Sequence, residues 1–430
     1  MNRSLHSLSR RDWLRAAAIG IGSAAGSMSG WLGALANDAP RKPLKSVIVL
    51  WMNGGPATID LWDLKPENPN GGPFRPIETA APGLLIGEHL PKLAPYGKDL
   101  AIVRSMSTKE GDHERASFLL RTGYTPVGAI QFPSVGAVLA KELRTESNDL
   151  PNFVSVAPTR YAESLSGGFL GPQHDPLVLG DSASPADGLK VADLNRGANV
   201  TEISQSSRLS ILKDMDRRFA VTRNSAVTAS IQSATDRAVR LMRPEAAAAF
   251  NLEEETAQTR AAYGNGQFGQ GVLLARRLVE CGVPFVEVTL DGWDTHQNNF
   301  ERVRDLCGTL DAAFSSLLSD LKSRGLLEST LVVCQGEFGR TPKINNNTGR
   351  DHWPASWAVA LAGGGLQTGK TIGSTNEDGT TVADQRVSAP DLIATIAKSV
   401  GVDPQKQNMS NVGRPIRVAA PDAKPILELL

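Results

Sequence analysis

The chain has no net charge, since 45 Lys and Arg balance 45 Asp and Glu. No global field therefore draws it towards nucleic acid or anionic lipid. There is also no basic run and no interleaving of basic with aromatic residues, which argues against nucleic-acid binding. Cysteine is scarce. Cys281, Cys307 and Cys334 lie far apart in apolar helical or strand patterns, and no C-x-x-C occurs. A zinc–thiolate site is unsupported, and buried free thiols are expected. The triple glycine Gly363-Gly364-Gly365 lacks the G-x-G-x-x-G spacing and opens no clear helix, so it is no phosphate-binding fingerprint.

The N-terminus carries Ser9-Arg10-Arg11-Asp12-Trp13-Leu14, then an uncharged stretch from Ala16 to Leu35 and the small-x-small pattern Ala34-Leu35-Ala36. This resembles a twin-arginine (Tat) export signal over residues 1–36, read by the Tat machinery. A retained membrane anchor is the alternative, but the stretch is only weakly hydrophobic. The expectation is a periplasmic or secreted protein with no stable membrane insertion after cleavage. From about Asn37 the chain is long enough for one large α/β domain. Residues of about 200–265 read as a helical insertion, with apolar positions such as Leu209, Leu212, Met215 and Phe219 recurring at helical spacing.

Chemistry-bearing residues follow predicted strands. Ser46 to Met52 is a continuous apolar run, as in a strand buried on both faces, and it leads through Asn53-Gly54-Gly55-Pro56 to Asp60 and Asp63. Either aspartate can be a metal ligand or a turn cap. Val283 to Leu290 leads to Asp294-Thr295-His296, a compact N/O set suited to a zinc-like ion. Thr330 to Cys334 leads to Glu337-Phe338-Gly339-Arg340 and then to Asp351-His352. Ligands in open α/β sheets bind beyond the carboxyl ends of strands, which is where all these residues fall. His113 opens a predicted helix ending at Thr122-Gly123, where backbone N–H groups favour an anion. His174 reads as an exposed loop residue.

Together the twin-arginine start, N-G-G-P-A-T-I-D-L-W-D-L-K-P, F-G-Q-G-V-L-L-A-R-R-L-V-E-C-G-V-P-F-V-E-V, G-W-D-T-H-Q-N-N-F, G-E-F-G-R-T-P, G-R-D-H-W-P-A-S-W and L-A-G-G-G resemble the family called domain of unknown function 1501. That family is grouped with the alkaline phosphatase and sulfatase superfamily. The resemblance implies a sandwich of a mostly parallel sheet flanked by helices over 37–430, with metal-assisted ester hydrolysis at the strand ends. Leu331 to Gly339 resembles the strand ending in Ser-Asp-His-Gly in such hydrolases, and Ala116 to Pro126 resembles the helix after the sulfatase nucleophile. The departures are specific. His113 fills the nucleophile position, Asn53 stands for the first-strand Asp, and Glu337-Phe338 stands for Asp-His. No C-x-P-S-R or C-x-A-x-R occurs, which excludes a formylglycine sulfatase.

These readings converge on an exported hydrolase of phosphate or sulfate esters, small-molecule or polysaccharide, with a rebuilt divalent-metal site. A zinc-like ion is expected, with Ca or Mn as alternatives. Asp294, His296, Asp351 and His352 are the expected ligands, with Asp60 a further one. Glu337 is a ligand or general base, His113 an acid, base or unusual nucleophile, and Arg340 an oxyanion clamp or a structural partner of a buried carboxylate. The rival reading is a non-catalytic exported binding protein that keeps the fold.

Overall fold

The computed structural model describes residues 45–430 apart from 146–148, 160, 192–193, 195–196, 198 and 223–225. The expected export signal lies outside the described residues. Among the described residues no helix is long and apolar enough to cross a membrane.

Eight strands form the central sheet: β1 (Ser46–Met52), β2 (Leu100–Met106), β3 (Phe153–Val156), β4 (Leu177–Leu179), β5 (Phe285–Leu290), β6 (Thr330–Gln335), β7 (Trp357–Gly363) and β8 (Lys370–Ile372). Their order is β8-β2-β7-β6-β1-β5-β3-β4. All neighbours run parallel except β7, which is antiparallel to both β6 and β2. The helices that matter below are α1 (His113–Thr122), α2 (Val135–Leu143), α3 (Glu202–Thr222), α4 (Ala226–Leu241), α5 (Gln267–Glu280), α6 (Asn299–Ser323) and α7 (Ala389–Ser399).

Every residue of β1 is buried, because alternate side chains feed two separate cores. Ile48, Leu50 and Met52 join Leu273, Leu274, Phe314 and Leu317 of α5 and α6. Val47, Val49 and Trp51 join Leu119, Leu120, Leu139 and Leu392 of α1, α2 and α7. The result is a three-layer sandwich. Each fully buried Leu, Val or Phe in it contributes about 1.5–3 kcal/mol of transfer free energy. The parallel strands β1, β5 and β6 all end on the same rim, and the loops that follow them meet there.

Four expectations need correction. Glu202–Thr222 and Ala226–Leu241 are helical, but the stretch Glu245 to Tyr263, which reads from sequence as one further helix, is broken into Pro244–Ala249, a single turn at Leu252–Glu254, and Ala257–Tyr263. Helix α3 does not bury its spaced apolar residues, for Leu212, Met215 and Phe219 are 39, 63 and 50% exposed. Asp214, Asp216, Arg217 and Arg218 are interleaved with them, so pressing that face onto the core would desolvate charges. Conversely Arg276, which the helical spacing of Leu273, Leu274 and Leu278 turns away from the core on a sequence reading, is 1% exposed. It is held by Glu255 at 2.8 Å, Glu280 at 2.8 Å and Asp320 at 3.2 Å. Of the thiols, Cys307 and Cys334 are buried as expected, whereas Cys281 is exposed just past the end of α5.

Candidate metal centre

The turn after β1 sets the geometry. Gly54 and Gly55 adopt φ of +109° and +75°. A Cβ on Gly54 would stand 2.3 Å from the Asp294 backbone nitrogen. Only glycine allows the loops after β1 and β5 to touch there. The Trp293 N–H donates to the Asn53 carbonyl at 3.1 Å, and the Trp293 side chain is fully buried, so the loop carrying Asp294 and His296 is anchored on both sides. Across from it, Gly349 passes so close to His296 that a Cβ would lie 1.9 Å from the His296 carbonyl. The 343–351 loop is thereby zipped to the 294–299 loop, through Arg350 N–H to Thr295 O at 3.0 Å and Asn299 N–H to Thr348 O at 2.9 Å. Residues His352–Trp353 then pair antiparallel with Gly339–Arg340.

Three imidazoles converge on the Asp294 carboxylate. The Nε2 atoms of His113, His296 and His352 lie 3.5, 3.1 and 3.5 Å from its oxygens. His113, Asp294 and His352 each offer a ligand atom within 4.8 Å of the other two. His296 joins them with its Nε2 3.0 Å from His352 Nε2. Each ring is fixed from behind. His113 Nδ1 is 2.6 Å from Glu337 Oε1, His296 Nδ1 is 2.7 Å from Asp351 Oδ1, and His352 Nδ1 is 2.8 Å from the Gly111 carbonyl. A carbonyl only accepts, and so does an ionised carboxylate, so each Nδ1 carries a proton and each neutral ring points a bare Nε2 lone pair inwards. Two nitrogens 3.0 Å apart cannot both carry protons on that line.

Buried atoms lack partners at the same place. His113 Nε2 and Glu337 Oε2 are both inaccessible and without a hydrogen bond among the described residues. Inward lone pairs, one carboxylate and an orphaned buried nitrogen fit a divalent cation held by nitrogen and oxygen. Locking the remote ring nitrogen is also how metal-ligating histidines are usually oriented. Phe338 supports two of the rings, His113 and His352, from 4.9 and 4.8 Å. Tyr161 stacks on His113 at 6.3 Å.

Charges follow the geometry. Burial pulls the His113 pKa down, but the nearby carboxylates of Asp294 and Glu337 outweigh it and raise the pKa to about 9 in the ion-free protein. Burial pushes the Asp294 carboxyl up, yet His113, His352 and Arg340 together hold it well below the usual carboxylate range.

The expected site residues divide accordingly. His296, His352 and Asp294 meet, as does His113, though its part differs from that of a nucleophile. Its Nδ1 is occupied and its Nε2 faces Asp294, the geometry of a residue that could hold an ion. Asp351 stands behind His296 rather than in the centre, and also receives Asn345 Nδ2 at 3.1 Å. Glu337 is fully buried and orients His113 while accepting the Gly54 N–H at 2.9 Å. Arg340 is not free to clamp an anion. Its guanidinium donates to the Gly54 and Gly55 carbonyls and to Asp294. Asp60 is not a ligand. Arg350 grips it at 2.7 and 2.9 Å, and Asn299 donates at 2.7 Å. Asp63 likewise pairs with Lys65 at 3.1 Å and accepts from Thr375. Sequence reasoning missed the Gly111 carbonyl, Asn345 and Tyr161. A backbone carbonyl has no sequence signature, but the Asn-rich run before Asp351 was a visible signal for Asn345.

Residues 44–430 match the family described as "Protein of unknown function (DUF1501)", and the chain belongs to it. No curated protein sequence matches. Among solved structures the chain is similar to the PsFucS1 sulfatase from Pseudoalteromonas sp., with 14% identity, 87% of this chain and 70% of that one covered, and a TM-score of 0.40. It is also similar to a protein of the alkaline phosphatase superfamily from Vibrio parahaemolyticus, with 10% identity, coverages of 84% and 67%, and a TM-score of 0.39. A third is the C-terminal periplasmic domain of EptC from Escherichia coli in complex with Zn, with 10% identity, coverages of 89% and 88%, and a TM-score of 0.37.

Proposed function

We propose that this chain is an exported, metal-dependent hydrolase of phosphate or sulfate esters. The observation that carries the reading is the inward convergence of three Nε2 atoms on one carboxylate, each ring fixed from behind by an acceptor. His113, Asp294, His296 and His352 would hold the ion. When bound, a divalent ion supplies Lewis acidity, which makes water nucleophilic at neutral pH and offsets charge on a departing oxyanion. Glu337 keeps the proton on His113 Nδ1, and Asp351 and the Gly111 carbonyl do the same for His296 and His352. Arg340, fully buried, balances the charge of Asp294 and pins its orientation. His113 stands where the resembled enzymes carry a hydroxyl, so the reading is direct attack by water without a covalent enzyme ester. The resemblance of Leu331–Gly339 and Ala116–Pro126 to hydrolase segments supports the ester class. The twin-arginine start supports export to the periplasm or beyond.

The test is elemental analysis of the full chain purified without chelator, for Zn, Mn, Fe, Ca and Mg, beside a His296→Ala, His352→Ala double variant. Hydrolysis of p-nitrophenyl phosphate and p-nitrophenyl sulfate is then assayed with and without chelator. A near-stoichiometric metal lost in the variant, with chelator-sensitive turnover, is the expected result. A folded protein free of metal sinks the proposal. A second reading, a metal-holding but non-catalytic binding protein, is favoured by the full commitment of Arg340 to internal partners. It predicts stoichiometric metal and no turnover of either ester.

A further inference from the structure

The opposite rim of the sheet, where the strands begin, is lined quite differently. Two adjoining cavities of about 250 and 660 Å³ open there. They share Arg144, Asn152, Gln173, His174, Arg237 and Arg240 as walls. Lys141 and Lys406 complete the larger one. Asn152 directly precedes β3, whose first residue pairs with the first residue of β5. The metal cluster lies beyond the far end of β5. At roughly 3.3 Å per strand residue, the sheet separates the two places by on the order of 20 Å.

Among the described residues around this space cations outnumber anions, and those anions are already engaged. Glu142 pairs with Lys406 at 2.5 Å, and Asp175 Oδ1 accepts the Gly167 N–H at 2.6 Å. Lys141 donates to Asn408 Oδ1 at 2.6 Å, and Arg237 to the Gln173 and Asp175 carbonyls at 3.2 and 3.1 Å. The side chains of Arg144 and Arg240 have no hydrogen-bond or ion-pair partner among the described residues. His174, expected in an exposed loop, is half-buried between them. Burial first, and then Lys141, Arg144 and Arg237, push its pKa down to about 4, as in a region of uncompensated positive potential. Burial chiefly lowers the Arg237 pKa, Asp175 opposes that, and Arg240 adds to it.

A purely structural account goes part of the way. Lys141 and Arg240 lie in the last turns of α2 and α4, where a cation offsets the helix dipole. That explains each residue singly. It does not explain why two helix ends and the 406–408 segment bring mutually repelling cations around one concavity, with two guanidinium groups unpaired among the described residues.

We propose that this cavity is an anion site for a ligand bearing two or more phosphate or sulfate groups, gripped by Arg144 and Arg240. Guanidinium forks match tetrahedral oxyanions bidentately. Neutral His174 and the Asn152 and Gln173 amides offer further donors at the wall. The site is independent of the metal centre and stands whether or not that centre hydrolyses esters.

Calorimetric titration at low salt tests it, using the full chain as purified. Inorganic pyrophosphate and a disulfated disaccharide serve as the two probes, and the one that binds identifies a phosphorylated or a sulfated source. At least one is expected to bind, weakened at least about tenfold in Arg144→Gln, Arg240→Gln through the loss of charge-assisted hydrogen bonds. Binding is expected to be unchanged in His296→Ala, His352→Ala. The single variants Arg144→Gln and Arg240→Gln, each checked by circular dichroism, give the same direction if the double variant fails to fold. Binding of neither probe overturns the proposal. So does equal binding by the arginine variants, or loss of binding in the histidine variant, which would place the anion at the metal centre.

Discussion

Asp60 and Asp294 both follow a strand buried in the middle of the sheet, and each faces a buried arginine, yet they occupy opposite electrostatic worlds. Asp60 is 2% exposed, with both oxygens filled by Arg350 and Asn299. Asp294 is 44% exposed at its side chain and shares Arg340 with three imidazoles that carry no inward proton when neutral. Their carboxyl groups move in opposite directions. For Asp60 burial outweighs the help of Arg350 and Asn299, and the pKa rises. For Asp294 burial is outweighed by His113, His352 and Arg340, and the pKa falls. A carboxylate whose partners are all donors is a finished structural pair. One that shares its space with lone pairs has electron density left over for a cation, and that surplus distinguishes a site from a brace.

The largest expected effects separate the two most sharply. Asp294→Asn removes the one carboxylate of the proposed ligand set. Metal affinity is expected to fall by more than about 100-fold, since outer-shell changes alone reach that size. Asp60→Asn leaves Arg350 buried without its counter-charge and is expected to cost about 3–5 kcal/mol of stability, while the folded fraction keeps its metal. Urea unfolding and metal content, measured on both variants, read the two outcomes. Loss of metal on Asp60→Asn, with stability intact, would return Asp60 to the ligand set.

Glu337→Gln tests whether the acceptor behind a ring counts as part of the centre. The neutral amide holds the Gly54 N–H and the His113 Nδ1–H less strongly than a carboxylate. Metal affinity is expected to fall about 10–100-fold with the ligand set complete. A competition titration against a chromophoric chelator measures this, and unchanged affinity would reduce Glu337 to a packing residue.

The third effect is in pH. In the ion-free protein the His113 pKa is raised from 6.5 to about 9. Its proton therefore stabilises the fold fully below pH 6.5, and that contribution is lost as pH rises towards 9. A metal ion must displace the same proton. Metal uptake between pH 6.5 and 9 is accordingly expected to release a proton, and apparent affinity to strengthen as pH rises through this window. Calorimetry in buffers of different ionisation enthalpy counts the proton, and His113→Gln should abolish its release.

How much of this was readable beforehand follows the range of the interactions. The continuous apolar runs of β1, β5 and β6 are local patterns, and so are the residues that follow β5 and β6, namely Asp294, His296, Glu337 and His352, which the fold brings to one rim. The departure at His113 was visible too, though not its role. What failed was settled at long range. Asp60 could not be told from a ligand because Arg350, which seals it, lies 290 positions away. Arg276 looked solvent-facing because Glu255 and Asp320 come from other segments. The three-and-four spacing in α3 gave a helix correctly but not a buried face, since spacing does not weigh the charges between the apolar positions. The Gly111 carbonyl behind His352 belongs to the backbone, so no residue type announces it.

The smallest effect makes the finest distinction, between a ligand and the residue behind it. Asp351 was expected in the coordination set, but its Oδ1 meets His296 Nδ1 and Asn345 rather than the centre. Its side chain is 53% exposed, and its carboxyl is held below the usual range chiefly by the hydrogen bond from His296. An asparagine oxygen can still accept the His296 Nδ1–H. Asp351→Asn is therefore expected to cost only a few-fold in metal affinity, and Asp351→Ala about tenfold, with stability within about 0.5 kcal/mol of the parent, as at other exposed positions. The same chelator competition resolves the series. A graded loss from parent through Asn to Ala fits an orienting acceptor, because each step weakens the hold on one ring without removing a donor atom. An abrupt, equal loss in both variants means that the Asp351 carboxylate turns inwards when the ion binds, and the coordination set gains the member the sequence first suggested.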